Sequence, residues 1–185
     1  IGNLLQQNTI NNKGGITDLA LGLAANFNEK IFVGGSLGIP FLSYKREAEY
    51  IEADATDALN NFNFASFKEN LSTKGVGINL KLGLIYKPVE QLRLGLAFHS
   101  PTFYSLTDTY SSEVTTDTEG YQSEQTQTSD FLNGAPSEFK YVLITPYRAI
   151  GSISYVLHEV EDVKKQKGFI TADIEYVNYK ASSFN

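Results

Sequence analysis

The chain has three arginines (Arg46, Arg93 and Arg148), two histidines (His99 and His158) and no cysteine, so any site must be built from a short inventory. Without cysteine there is no thiolate ligand, thiol nucleophile or disulfide framework. His99 stands beside Ser100, a pairing that would suggest a hydroxyl nucleophile and its base. In a strand, however, sequence neighbours point to opposite faces and would not meet. The two histidines lie at different strand heights and lack H-x-x-x-H spacing, which argues against a zinc site. Acidic pairs and triplets at Asp54 and Asp57, or at Asp108, Asp117 and Glu119, do not have the order of a calcium loop. Gly75-x-Gly77 lies in a strand pattern with no helix after it, so it is not a dinucleotide fingerprint. No enzyme and no cofactor are expected. The chemistry left is recognition, because Arg93, His99 and Arg148 fall on the polar side of their strands and can hold a carboxylate head group. An ion-pair lattice with Asp18, Asp173 or Glu175 is the equal alternative.

Period-two patterning supplies the elements that must position these groups. Leu19, Leu21, Leu23, Ala25 and Phe27 alternate with small or polar residues, and a turn is expected at Asn28–Lys30. Ile31, Val33, Leu37, Ile39 and Phe41 then share one face. Val76, Ile78, Leu80, Leu82, Leu84 and Tyr86 form the clearest strand, followed by a turn over Lys87–Gln91 and by Leu92, Leu94, Leu96 and Phe98. A fifth strand is expected over Phe139–Leu157 and a sixth around Ile170–Tyr176, with a turn between them at His158–Lys167. Short turns alternate with long connections, about 48–70 and 108–137, so the reading is all-β, with antiparallel up-and-down strands and no helical crossover. Within the first connection Leu59, Phe62, Phe64 and Phe67 are candidates for an apolar landing surface, with packing within the loop itself the equal alternative. Pro40, Pro101 and Pro146 fall inside strands toward the long-loop ends. There a missing N–H breaks the ladder, which marks where pairing becomes irregular above the membrane or, alternatively, kinks the wall into a lateral gate.

The 185 residues are 42% hydrophobic, enough for one domain with a core, and the net charge of −6 argues against nucleic acid. Mean hydropathy is −0.21 and no run of 18 apolar residues occurs, which excludes a membrane-crossing helix but not a membrane barrel. A soluble barrel shows charge on its outer face. Here the polar side of each strand is mostly Gly, Ala, Ser and Asn, with Lys81, Arg93, Arg148 and Asp173 isolated among them, as suits the inside of a barrel whose leucine side meets lipid. Tyr86 and Tyr155 near the short turns, with Tyr44, Tyr104, Tyr147 and Tyr176 toward the other strand ends, fit two interfacial girdles. Six strands are fewer than the roughly eight that close a membrane barrel, and Ile1-Gly2-Asn3-Leu4 reads as the interior of a longer chain, so 1–185 is expected to be one segment of a larger barrel.

The run Gly75-Val76-Gly77-Ile78-Asn79-Leu80-Lys81-Leu82-Gly83-Leu84-Ile85-Tyr86-Lys87-Pro88, then Leu92-Arg93-Leu94-Gly95 and His99-Ser100-Pro101-Thr102, resembles the FadL/TodX family of outer-membrane transporters for hydrophobic compounds, in the form found in Bacteroidetes-type bacteria. Thr145-Pro146-Tyr147-Arg148, Gly151–Tyr155, Gly168-Phe169-Ile170 and Asp173–Tyr179 are similar to the same group. The resemblance spans most of Gly15–Lys180, and order and spacing carry it. It implies a 14-stranded porin-like barrel in the bacterial outer membrane, in contact with membrane lipid and lipopolysaccharide, that passes long-chain fatty acids or related ligands by diffusion and lateral exit. The chain lacks the family's hatch and more than half its strands. Two rival readings are a barrel subunit of a secretion or surface complex with protein partners, and a soluble β-barrel binding an apolar ligand.

Overall fold

The computed structural model describes residues 4–56, 59–157 and 168–185; the expected turn at His158–Lys167 lies outside them. Among the described residues there are ten strands: β1 Leu4–Phe27, β2 Ile31–Asp54, β3 Phe64–Val89, β4 Leu92–His99, β5 Phe103–Asp117, β6 Glu124–Gln127, β7 Ser137–Ile144, β8 Tyr147–Leu157, β9 Gly168–Asn178 and β10 Ser183–Phe184. A single helical turn, α1, covers Thr128–Phe131, and a 3₁₀ turn covers Tyr179–Ala181. All ten strands belong to one sheet of long antiparallel strands. β1 pairs with β2 and β2 with β3; β3 also pairs with β4 and β5; β8 and β9 follow β4, while β7 and β10 follow β5 and β6 joins β5.

Six long strands explain nine of the ten, β6 being a short separate piece beside β5. β4 and β5 are consecutive pieces of one strand interrupted at residues 100–102, β7 and β8 are separated only by Thr145 and Pro146, and the 3₁₀ turn separates β9 from β10. Pro101 and Pro146 sit at these interruptions, where a residue without N–H cannot serve the ladder. Pro40 differs, because it lies buried within continuous β2.

The expected loops require correction. Residues 48–54 complete β2 and 64–70 begin β3, so the real connection is short. The polar run after Asp108, read as solvated loop, is strand to Asp117 and again over 124–127. Thr, Tyr and Val favour extended backbone even where no apolar alternation announces it.

The chain folds as two compact units, Ile1–Ile16, Leu42–Gly75 and Leu106–Tyr141 in the first, Thr17–Phe41, Val76–Ser105 and Val142–Asn185 in the second. In the second unit, the β1–β2 hairpin turns through Asn28 and Glu29 at φ 51° and 58°, the two positive values of a two-residue turn that matches strand twist. Asn26 Oδ1 accepts the Glu29 N–H at 3.0 Å. Register then fixes the faces. Leu82, Phe98, Ala149 and Tyr176 lie in one cross-strand row, and Leu84, Leu96, Gly151 and Ile174 in the next row on that face. The opposite face carries Lys81, His99 and Arg148 in one row and Gly83, Ala97, Ile150 and Glu175 in the next. Ile150 and Val156, which blur the alternation in sequence, belong to this polar face, and Val156 is only 4% exposed. The leucine face is open, with Leu82 48%, Leu96 63% and Ile174 77% exposed.

The first unit has polar residues on both faces. Gln6 donates to Glu52 at 2.7 Å, Tyr44 to Asn12 at 3.2 Å, Tyr110 to Glu69 at 2.8 Å and Tyr141 to Asp108 at 3.3 Å. Its sequence holds thirteen Asp and Glu against six Lys and Arg, while the second unit has eight against nine. The net negative charge of the chain therefore resides in the first unit.

Candidate functional site

The polar face of the second unit gathers the candidate site. His99 is paired directly with Lys81 on β3 and with Arg148 on β8, so three basic side chains form one row across three strands. Each outer member has a carboxylate partner: Lys81 Nζ lies 3.5 Å from Asp18 Oδ2, and Arg148 Nη1 lies 3.4 Å from Glu175 Oε1. His99 Nδ1 is buried without a hydrogen-bond partner. Arg93 stands on the same face further along β4, opposite Ser154.

A neutral polar row adjoins the charged one. Asn79 Nδ2 donates to Thr102 Oγ1 at 3.3 Å, and the Thr102 N–H donates to Thr145 Oγ1 at 2.8 Å. The second of these bonds joins the two proline interruptions and satisfies a backbone N–H that the ladder no longer serves. Asn79 Oδ1 fills the space over Gly38, where an added Cβ would lie 2.5 Å away. Ser100 Oγ accepts the Leu80 N–H at 2.8 Å and donates to Pro101 C=O at 2.9 Å, bonds that hold the strand end together.

Two grooves meet at the row. One of about 490 Å³ is lined by Asn79, Lys81, His99, Thr145, Arg148 and Glu175. The other, about 690 Å³, is largely apolar, with Phe32, Gly83, Gly95 and Ala97 in its wall, and shares Lys81 and His99 with the first. Glycine and alanine make the second groove possible: at Gly83 nothing lies within 4 Å of where a Cβ would stand. Among the described residues no three His, Asp or Glu side chains converge as a metal ion requires.

The remaining candidates lie in the first unit. Phe64 and Phe67 both begin β3, three positions apart, so they point to opposite faces. Leu59 is 89% exposed. Phe64 and Phe67 therefore do not share one apolar surface. Their segment is instead latched by acids. Glu119 Oε2 accepts the N–H groups of Asn60 and Asn61 at 2.6 and 2.8 Å, and Asn63 Nδ2 donates to Asp117 Oδ2 at 2.8 Å. The Thr56 hydroxyl, bonded to Asp54 at 2.8 Å, holds that carboxyl below its usual value, and the Asn63 amide does the same for Asp117.

Sequence reasoning places Arg93, His99 and Arg148 on the right face but leaves Asn79 and Thr102 unremarked, because only register and the two strand breaks bring them together. Comparison with family models, with characterised proteins and with solved structures finds no match to this chain.

Proposed function

We propose that this chain is part of an outer-membrane β-barrel, related to the FadL/TodX transporters, that lets hydrophobic small molecules such as long-chain fatty acids cross by passive diffusion and leave sideways through the wall. The observation that carries the reading is the open leucine face of the second unit. Leu80, Leu82, Leu84, Leu94, Leu96 and Phe98 are all exposed, whereas no side chain among the described residues is fully buried. A sheet with this surface is stable where hydrocarbon covers it.

Dimensions and aromatic placement support the same environment. Phe98, Tyr147 and Tyr176 form a tilted aromatic cluster with centroids 5.9 and 6.3 Å apart, and Tyr155 lies eight residues from Tyr147 along β8. That interval spans roughly 20 Å along a membrane normal at about 3.3 Å per residue and a tilt of about 40°. Among the described residues β1 pairs only with β2 and β9 only with β8. Each unpaired backbone group in hydrocarbon costs several kcal/mol, so further strands would complete the wall. The interruptions at Pro101 and Pro146 are the places for lateral exit, and the polar face is the passage.

The test is reconstitution of the intact protein. It is expected to float with lipid vesicles and to resist extraction by urea and carbonate. Recovery of a folded, monodisperse protein in buffer without detergent would defeat the proposal.

A further inference from the structure

The two proline interruptions stand opposite each other. β4 pairs with β8 up to His99 opposite Arg148. The same register, carried on, sets Pro101 opposite Pro146 and Thr102 opposite Thr145, where the Thr145 N–H donates to the Thr102 C=O at 3.1 Å. In an antiparallel ladder every second pair exchanges two backbone bonds. Counted from Gln91 and Val156, joined by the Val156 N–H to Gln91 C=O bond at 2.8 Å, Pro101 and Pro146 fall on such a pair. Neither has an N–H, so both bonds of that pair are missing at one point. The Ser100 N–H turns the other way, to the Leu80 C=O on β3 at 2.8 Å. Past the gap a side chain takes the place of a backbone carbonyl, because the Thr102 N–H donates to Thr145 Oγ1 at 2.8 Å. Thr102 and Thr145 line the same groove as His99 and Arg148 although each stands three residues away, an odd interval that regular alternation sends to the opposite face. Both strands therefore slip by one residue at the same height, as at paired bulges.

We propose that Thr145 is the clasp of the sideways exit: the wall parts between residues 100–102 and 145–147, and the Thr145 hydroxyl, bound to the Thr102 N–H, holds it closed. Two ladder bonds are already gone from this stretch, so parting here breaks fewer bonds than parting an intact ladder. The groove of about 490 Å³ lies against the seam on its polar side and brings a ligand to it. This deepens the reading of the polar face as a passage and rests on it. Thr145 is a positioning residue, acting through the strand it holds.

The experiment uses the intact protein assembled in the outer membrane of a bacterial host and follows entry of N-phenyl-1-naphthylamine, whose fluorescence rises as it reaches the bilayer interior. Cells without the protein are the blank. Nitrocefin, a hydrophilic compound cleaved by a periplasmic lactamase supplied to the host, reads general leakage. Thr145→Val removes the hydroxyl and is expected to speed entry of the apolar probe about fivefold, the effect of roughly one net hydrogen bond, with nitrocefin entry unchanged. Thr145→Ser, which keeps the hydroxyl, retains the slow rate. Thr102→Cys combined with Thr145→Cys sets two thiols opposite each other in the register. Oxidised, their disulfide closes the seam and entry falls to the blank; reduced, the pair matches Thr145→Val. Both states belong to one assembled protein, so this comparison stands even where Thr145→Val fails to assemble. An unaltered rate in Thr145→Val, equal entry through the oxidised and reduced pair, or a parallel rise in nitrocefin would overturn the inference while leaving the passage intact. If the unaltered protein admits no more probe than the blank, the passage itself fails and the clasp with it.

Discussion

The two units are built from the same kind of long antiparallel strand yet present different faces. In the second, each strand separates a leucine face from a face of Gly, Ser and isolated charges. In the first, both faces are polar and acids outnumber bases thirteen to six. β1 shows the change within one strand: Gln6 to Lys13 offers water-compatible residues on either side, whereas Leu19 to Phe27 alternates. Extended backbone does not require an apolar face. It requires that each face match its surroundings, and the difference marks where hydrocarbon is proposed to end and water to begin.

The largest expected effect comes from placing a charge on the two kinds of face. Leu96→Lys, in the middle of the leucine face, is expected to cost about 2–4 kcal/mol and to abolish membrane assembly. Val114→Lys in the first unit, also at an exposed strand position, is expected to stay within about 0.5 kcal/mol. Heat-modifiable migration of the folded protein reads both, and equal effects would break the distinction.

Glycines sharpen it next. A Cβ at Gly14 would lie 2.5 Å from the Ser43 carbonyl, whereas one at Gly83 would meet nothing within 4 Å. Gly14→Ala is therefore expected to destabilise by about 1–3 kcal/mol through backbone displacement. Gly83→Ala is expected to leave urea stability unchanged while narrowing the apolar groove.

The smallest effect is pH dependence confined to the first unit. Asp54 and Asp117 have carboxyls held below their ordinary value of 3.8 by their hydrogen bonds. Groups with lowered folded values contribute stability that is complete above the unfolded value and is lost as pH falls through the folded one. The protection factor of the Asn63 amide, taken against the intrinsic exchange rate, is thus expected to hold at neutral pH and to fall only below about pH 4. In Asp117→Asn that acid-induced step is expected to shrink. A protection factor already lost at pH 6 would contradict the latch.

The sequence made the six long strands and both faces of the second unit legible, because alternation over Val76–Tyr86 and Leu92–Phe98 needs no partner to be read. It did not reveal that residues 108–117 are strand. Polar residues fall on both faces there, with only Tyr110 and Val114 between them, and no hydrophobic period forms. Nor did it show that Phe64 and Phe67 part to opposite faces, since the start of β3 could not be located among mixed residues. The ion pairs at Lys81 and Arg148 needed register, because Asp18 and Lys81 stand 63 positions apart. That His99 Nδ1 is buried without a partner appears only when its neighbours on three strands are in place.

The central claim concerns which face of the second unit touches lipid. The chain has no cysteine, so single cysteines at Leu84, Leu96, Gly83 and Ala97 can each carry a nitroxide in the intact protein in bilayers. Labels at 84 and 96 are expected to be relaxed by oxygen, which partitions into hydrocarbon, and shielded from a water-soluble nickel chelate, with 83 and 97 reversed. The contradicting result is nickel access at 84 and 96 with oxygen-rich shielding at 83 and 97.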